Sequence, residues 1–257
     1  MSATNITYNS YDLQDSAIVA SEIGDGSGFR RKISPQSKIR RAGVVVTDDT
    51  FETKIIPVMG TIFGTSLSNL DSLIDDFNAA MAVKDKNLDI DYEGGTRRYV
   101  ATPRNFNIDR PIRGNWAKYR VDFLVTEYGK DTSSSSLLTS NNNTTSGGTH
   151  AITVDGSAPE QYLTITIDLN TFTGAAINTV TVGNNETGQA VSISRAWTGT
   201  DTLVIDVENQ RVKVEGVEVD YSGAFPEFVA GPETISYDDD FTARNYNINA
   251  TYFKRWL

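Results

Sequence analysis

DTLVIDVENQRVKVEGVEV, residues 201–219, alternates apolar and polar positions with a period of two, and that alternation decides the fold class. Leu203, Ile205 and Val207 share one face, and Val212 and Val214 resume it after Asn209-Gln210. Because successive strand side chains point to opposite sides, these apolar residues form one buried face. QYLTITIDL (161–169) repeats the pattern through Leu163, Ile165 and Ile167, and AINTVTVGN (176–184) and QAVSISRAW (189–197) follow it. Short strands recurring every 8–12 residues with one polar face predict an antiparallel sandwich or jelly roll. No helical periodicity competes in this half, and no repeat of 20–50 residues is visible in either half.

Upstream, DTSSSSLLTSNNNTTSGGTH (131–150) has few apolar residues and no usable periodicity. Ser, Asn, Thr and Gly offer the backbone local hydrogen-bond alternatives and little to bury, so the stretch reads as a flexible linker. The expected organisation is a domain over 1–130, a linker over 131–149 and a second domain over 150–257. In the first domain, extended segments are expected at 39–47, 51–63, 88–92, 97–108 and 116–128, with Glu93-Gly94-Gly95-Thr96 as a hairpin turn. One helix interrupts them. In SLSNLDSLIDDFNAAMAV, Leu67, Leu70, Ile74, Phe77 and Met81 recur at three- and four-residue steps. Ser68 is the expected N-cap.

The chain has 257 residues, no cysteine and a net charge of −10. Without cysteine there is no disulfide framework and no thiolate for catalysis or metal binding. The N-terminal MSATNITYNSYDLQDS lacks a basic region followed by an apolar one, and no run of 18 apolar residues occurs, which predicts a protein kept soluble without membrane insertion. Residues 1–130 carry 17 basic and 17 acidic side chains, and residues 131–257 carry 6 and 16, so the second half holds the whole imbalance. Such a surface repels a phosphate backbone, which excludes nucleic-acid binding as a main function.

The sequence holds no convincing catalytic or cofactor motif. A serine nucleophile needs an imidazole base held on a rigid frame, and the single histidine, His150, falls at the linker edge. One His and no Cys disfavour tetrahedral zinc. Asp48-Asp49 and Asp238-Asp239-Asp240 match no calcium loop and read as solvated acidic turns. Ile23–Phe29 is glycine-rich but lacks the ending of a phosphate loop, so it reads as a turn. Arg30, Arg31, Lys32, Lys38, Arg40 and Arg41 form the strongly basic stretch, free of acids from Phe29 to Thr47. It is either a solvated loop or an arm pairing with carboxylates such as Asp75, Asp76, Asp89 and Asp91 on a neighbouring copy. Trp116, Trp197 and Trp256 suit core or interface packing more than sugar stacking.

The stretch from Asp201 to Tyr237 resembles the second domain of siphophage distal tail proteins. In that family a strand ending in Ile-Asp, a turn, a strand leading to Gly, and Phe-Pro and Gly-containing segments follow in order. Ile205-Asp206, Gly216, Phe225-Pro226 and Gly231-Pro232 stand in those places. Gly-Pro-Glu replaces the family's usual Gly-Asn. The resemblance implies a mainly β chain, with a tail-tube-like N-terminal β-domain carrying one α-helix and a galectin-like C-terminal antiparallel β-sandwich. It further implies a structural, non-enzymatic virion protein without cofactors. Its first domains would form a hexameric ring continuing the tail-tube channel, with tail-tube protein and tip hub or receptor-binding proteins as partners. Two other readings stand: a carbohydrate-binding module for a host-surface glycan, and a tail-tube subunit with a decorative β-domain.

Overall fold

The structure is a computed structural model that describes residues 3–24, 31–37, 44–51, 53–112 and 114–257. Its contacts divide the chain into two compact units, Met1–Lys130 with Leu257, and Asp131–Trp256.

The first unit contains β1 (Ala3–Tyr8), β2 (Tyr11–Asp12), β3 (Ile18–Ile23), β4 (Arg31–Ser37), β5 (Val44–Phe51) and β6 (Lys54–Phe63). Helix α1 (Leu67–Met81) follows, then β7 (Lys86–Tyr92), β8 (Gly95–Asp109) and β9 (Trp116–Val125). An antiparallel sheet runs in the order β2-β1-β7-β8-β9-β6-β3, and β4 and β5 pair separately. Alternation places the buried residues of β6 and β9 opposite one another: Ile56 faces Phe123, Val58 faces Val121 and Ile62 faces Ala117. At the fourth such pair, Gly60 faces Tyr119. A Cβ on Gly60 would lie 2.3 Å from the Val19 carbonyl and 2.6 Å from the Tyr119 ring, so glycine makes room for that ring. Tyr119 in turn packs on Phe77 of α1, with centroids 4.9 Å apart. Leu70, Phe77 and Met81 are the buried side of the helix. Full burial of Phe77 alone contributes about 1.5–3 kcal/mol.

Three sequence expectations change here. Ser66, not Ser68, caps α1: its backbone is extended and its Oγ accepts from Asn69 N at 3.1 Å. Leu67 therefore begins the helix and stays exposed. The strand expected at 39–47 is β5, which runs on to Phe51, and that expected at 51–63 is β6, from Lys54 to Phe63; residues 39–43 and 52 lie outside the described residues. β1 and β3 were not anticipated, because their six-residue runs carry little alternation and gain their order from β7 and β6, which pair with them.

Strand β10 (Gly129–Asp131) straddles the division between units. The second unit then contains β11 (Ser135–Asn143), β12 (Gly148–Val154), β13 (Leu163–Thr173), β14 (Asn178–Asn184), β15 (Ala190–Arg195) and β16 (Thr202–Asp206). It ends with β17 (Arg211–Val214), β18 (Val217–Glu218), β19 (Ser222–Gly223), β20 (Gly231–Asp239), β21 (Ala243–Tyr252) and β22 (Arg255–Trp256). One antiparallel sheet has the order β11-β21-β13-β16-β17-β18 and the other β12-β20-β14-β15-β19. The alternating faces read from the sequence meet in register, with Ile165 opposite Ile205, Ile167 opposite Leu203, and Leu203 opposite Val214. Together with Val180, Val182, Val191, Ile193 and Ile235 of the other sheet they form one core. The chain is mainly β, as expected.

The flexible linker expected over 131–149 is a correction, since β11 and the start of β12 lie inside it. β11 pairs with β21 and β12 with β20, so partner strands supply the backbone hydrogen bonds that composition could not promise. Leu137 and Leu138 pack on the core. The polar side chains bond locally: Ser140 Oγ lies 3.0 Å from Asn143 Oδ1, and Asn143 Nδ2 donates to the Tyr246 carbonyl at 3.2 Å. Register shifts interrupt β11 twice, and Asn142 adopts a positive φ of 56°.

Candidate functional site

The groups capable of chemistry are dispersed or used structurally. His150 sits in β12 opposite Ile235, not at a linker edge. Burial pushes its pKa below the ordinary histidine value, and its Nε2 has no hydrogen-bond partner. Among the described residues, no carboxylate hydrogen bond orients the ring as a catalytic base requires. Among the described residues, no group of three or more His, Asp or Glu is placed to hold a metal ion.

Of the acidic run Asp238–Asp240, Asp238 and Asp240 are exposed, but Asp239 departs from the expected solvated turn. Asp239 is fully enclosed and its Oδ1 takes the Arg244 guanidinium at 2.7 Å. The same oxygen accepts from Phe241 N at 2.9 Å, and Arg244 also donates to the Phe241 carbonyl. Asp238 accepts from Ser146 Oγ at 2.6 Å, and Asp240 from Thr179 N at 2.8 Å. The run closes the passage from β20 to β21, where the chain crosses between the two sheets. Just beyond the pair, Tyr237 stacks on Tyr246 with centroids 3.9 Å apart. Sequence reading missed this clasp because its cation, Arg244, follows after Phe241, Thr242 and Ala243 and signals nothing by spacing alone.

The residues that carry the family resemblance are parts of the scaffold. Ile205 is fully buried, and the Asp206 carboxylate closes the following turn by accepting from Asn209 N at 3.1 Å and Asn209 Nδ2 at 2.7 Å. Glu215 and Gly216 join Val214 to Val217, both with positive φ of 52° and 77°, as a two-residue hairpin turn requires. Phe225 packs against the core, Pro226 is buried, Gly231 has φ of 130° and Pro232 stands opposite Thr153.

Of the basic stretch, Arg30, Lys38, Arg40 and Arg41 lie outside the described residues, and Arg31 and Lys32 pair through their backbone with Phe51 and Thr50. Two of the acids expected to receive it are occupied within the unit. Asp89 takes a two-pronged contact from Arg98, with both distances 2.7 Å, and Asp91 accepts from Thr96 Oγ1 at 2.6 Å. Asp75 and Asp76 are exposed on α1.

The same unit exposes an apolar end that the sequence did not single out. Phe63 at the end of β6 is opposite Trp116 at the start of β9, and both are over a third exposed. Gly64 N donates to the Asn115 carbonyl at 2.7 Å and holds these two strand ends together, while Leu67 and Ile112 are further exposed apolar residues of the same unit. Leu67 is 54% exposed and Ile112 wholly so. Clustered apolar exposure of this kind marks a protein-contact surface. The other tryptophans are anchored: Trp197 donates to the Asn178 carbonyl at 2.9 Å, and Trp256 to Asp131 at 2.7 Å.

Comparison with known proteins agrees with this architecture. Residues 155–256 match the family model of the siphovirus-type tail component, C-terminal domain. Over 98% of its length the chain is similar in fold to the Dit protein (gp 19.1) of phage SPP1, described as a paradigm of the hub adsorption apparatus in phages infecting Gram-positive hosts. That likeness covers 99% of the other chain at 14% identity and a TM-score of 0.68. Chains of the phage p2 baseplate in its activated conformation, with calcium and with strontium, align at 10% identity and TM-scores of 0.45 and 0.44. The alignments cover 97% and 96% of this chain, and 98% and 97% of theirs. No curated protein matches by sequence.

Proposed function

We propose that this chain, whose residues 155–256 match the family model of the siphovirus-type tail component, is a distal tail protein that assembles as a closed ring between tail tube and host-contacting tip. A structural role in the phage tail, not catalysis, follows from that family, and the virion is its place of work. The family match over 155–256 carries the reading, and the apolar end of the first unit supports its assembly.

The finer parts extend this reading. The ring is hexameric, formed by the first units around a channel for DNA, with the second units peripheral. Charge favours this arrangement: a domain of net charge −10 repeated closely about an axis repels itself, whereas a balanced one pairs across its interfaces. The contact is head-to-tail, as a closed ring needs, and the exposed pair Phe63 and Trp116 forms part of one side of it. Tail-tube protein covers one face of the ring, and hub or receptor-binding proteins the other. The test is light scattering and negative-stain imaging of the full chain beside a Phe63→Ser/Trp116→Ser variant. Closed rings for the parent and smaller species for the variant are expected. A monomeric parent at every concentration, or an unchanged variant ring, overturns the assignment.

A further inference from the structure

In the second unit, a cleft of about 510 Å³ lies between the residues entering β13, the start of β15 and the segment after β19. Its size falls within the range of about 300–1,000 Å³ common for small-ligand sites. Aromatic rings border it: Tyr221 and Phe225 meet edge to face with centroids 5.1 Å apart, and Tyr162 stands across from them. Tyr221 is 43% exposed, although a tyrosine serving only the core would be buried.

The polar groups of the cleft are held in place. Gln189 Oε1 accepts from Glu227 N at 2.8 Å, which fixes the amide and leaves its NH2 to donate. Glu160 accepts from the Tyr162 hydroxyl at 2.7 Å and keeps further acceptor capacity, and the Glu227 carboxylate is exposed at the rim. No Lys or Arg is among the lining residues, and the Arg255 guanidinium behind Tyr162, 4.4 Å from its ring centroid, is outweighed by two carboxylates at the cleft, so the site disfavours a phosphate or any other anion. Flat ring faces beside fixed acceptors and an amide donor suit a ligand with an apolar C–H face and several hydroxyls. A peptide docking by strand addition would find only the two residues of β19 to pair with.

We propose that this cleft binds a neutral saccharide, stacked on Tyr221 and hydrogen-bonded by Gln189, Glu160 and Glu227. The site is independent of ring assembly and adds host-surface contact to a structural role. A printed array of neutral microbial glycans, followed by saturation-transfer NMR on the sugars it captures, tests the full chain. Capture of at least one neutral glycan is expected, with affinity about fivefold weaker in Tyr221→Ala and also reduced in Glu227→Gln. Neither substitution should change particle mass or the unfolding midpoint, so loss of sugar binding is distinguishable from loss of assembly. An array without neutral-glycan capture, or capture indifferent to Tyr221→Ala, overturns the proposal. Capture of a tail polypeptide alone, lost in Tyr221→Ala, would replace the saccharide with a protein partner and overturn it equally.

Discussion

Replacing Arg244 with methionine tests the clasp between the two sheets of the second unit. The Arg244 side chain is 13% exposed and that of Asp239 not at all, so the substitution leaves a carboxylate enclosed without its cation. Removing one partner of a buried pair costs about 3–5 kcal/mol, and the slight exposure of Arg244 favours the lower end. Against a domain stability of about 5–15 kcal/mol, that loss is readily measured. Guanidinium unfolding of full-length protein in a Trp116→Phe background reads the second unit directly, since emission then comes from Trp197 and Trp256. Arg244→Met should lower the unfolding midpoint with little change in slope. Replacing both partners, Asp239→Leu with Arg244→Met, should restore much of the loss, because no unpaired charge remains. A single-variant cost below about 1 kcal/mol, or a double variant no more stable than the single, would refute the reasoning.

Burial raises the Tyr8, Tyr11 and Tyr246 phenols from 10.0 to about 12. Their stabilisation is fully present below the unfolded value near 10 and is lost as pH rises toward 12. Ultraviolet titration should therefore show an exposed class ionising first and a buried class ionising together with loss of near-ultraviolet dichroism; one uniform class near 10 with the fold intact would contradict this. In the first unit, Arg40→Glu with Arg41→Glu should reduce particle mass, most strongly at low salt where screening is least. Scattering across ionic strengths checks this, and an unaffected mass removes the basic stretch from the interface.

The faces that became the second core were legible because period two survives in Leu163–Ile167 and Leu203–Val207, where every inward residue is aliphatic. The helix was legible through Leu70, Phe77 and Met81, but its start was not, since Ser66 and Ser68 are equal candidates until the backbone angles choose. β11 was misread for a different reason. An edge strand gains its order from its neighbour's backbone, and nothing in Ser-Asn-Thr composition announces that β21 will supply it. The apolar end of the first unit escaped notice because Phe63 and Trp116 are far apart in sequence and meet only through the pairing of β6 with β9. The clasp at Asp239 escaped because burial singles out the middle member of an acidic run whose neighbours stay exposed. The cleft depends on Glu160, Gln189 and Tyr221, contributed by three separated segments.

The uneven, asparagine-rich outer strand β11 has a consequence for a protein proposed to assemble as a ring. At the open margin of its sheet, a smooth strand of valine and isoleucine would offer a template on which another chain could stack, and growth would then be fibrous and unbounded. The two register shifts and the left-handed Asn142 spoil that template. Smoothing Ser140–Asn143 into a regular β-branched run would raise strand propensity and, by the same act, invite polymerisation through the sheet margin.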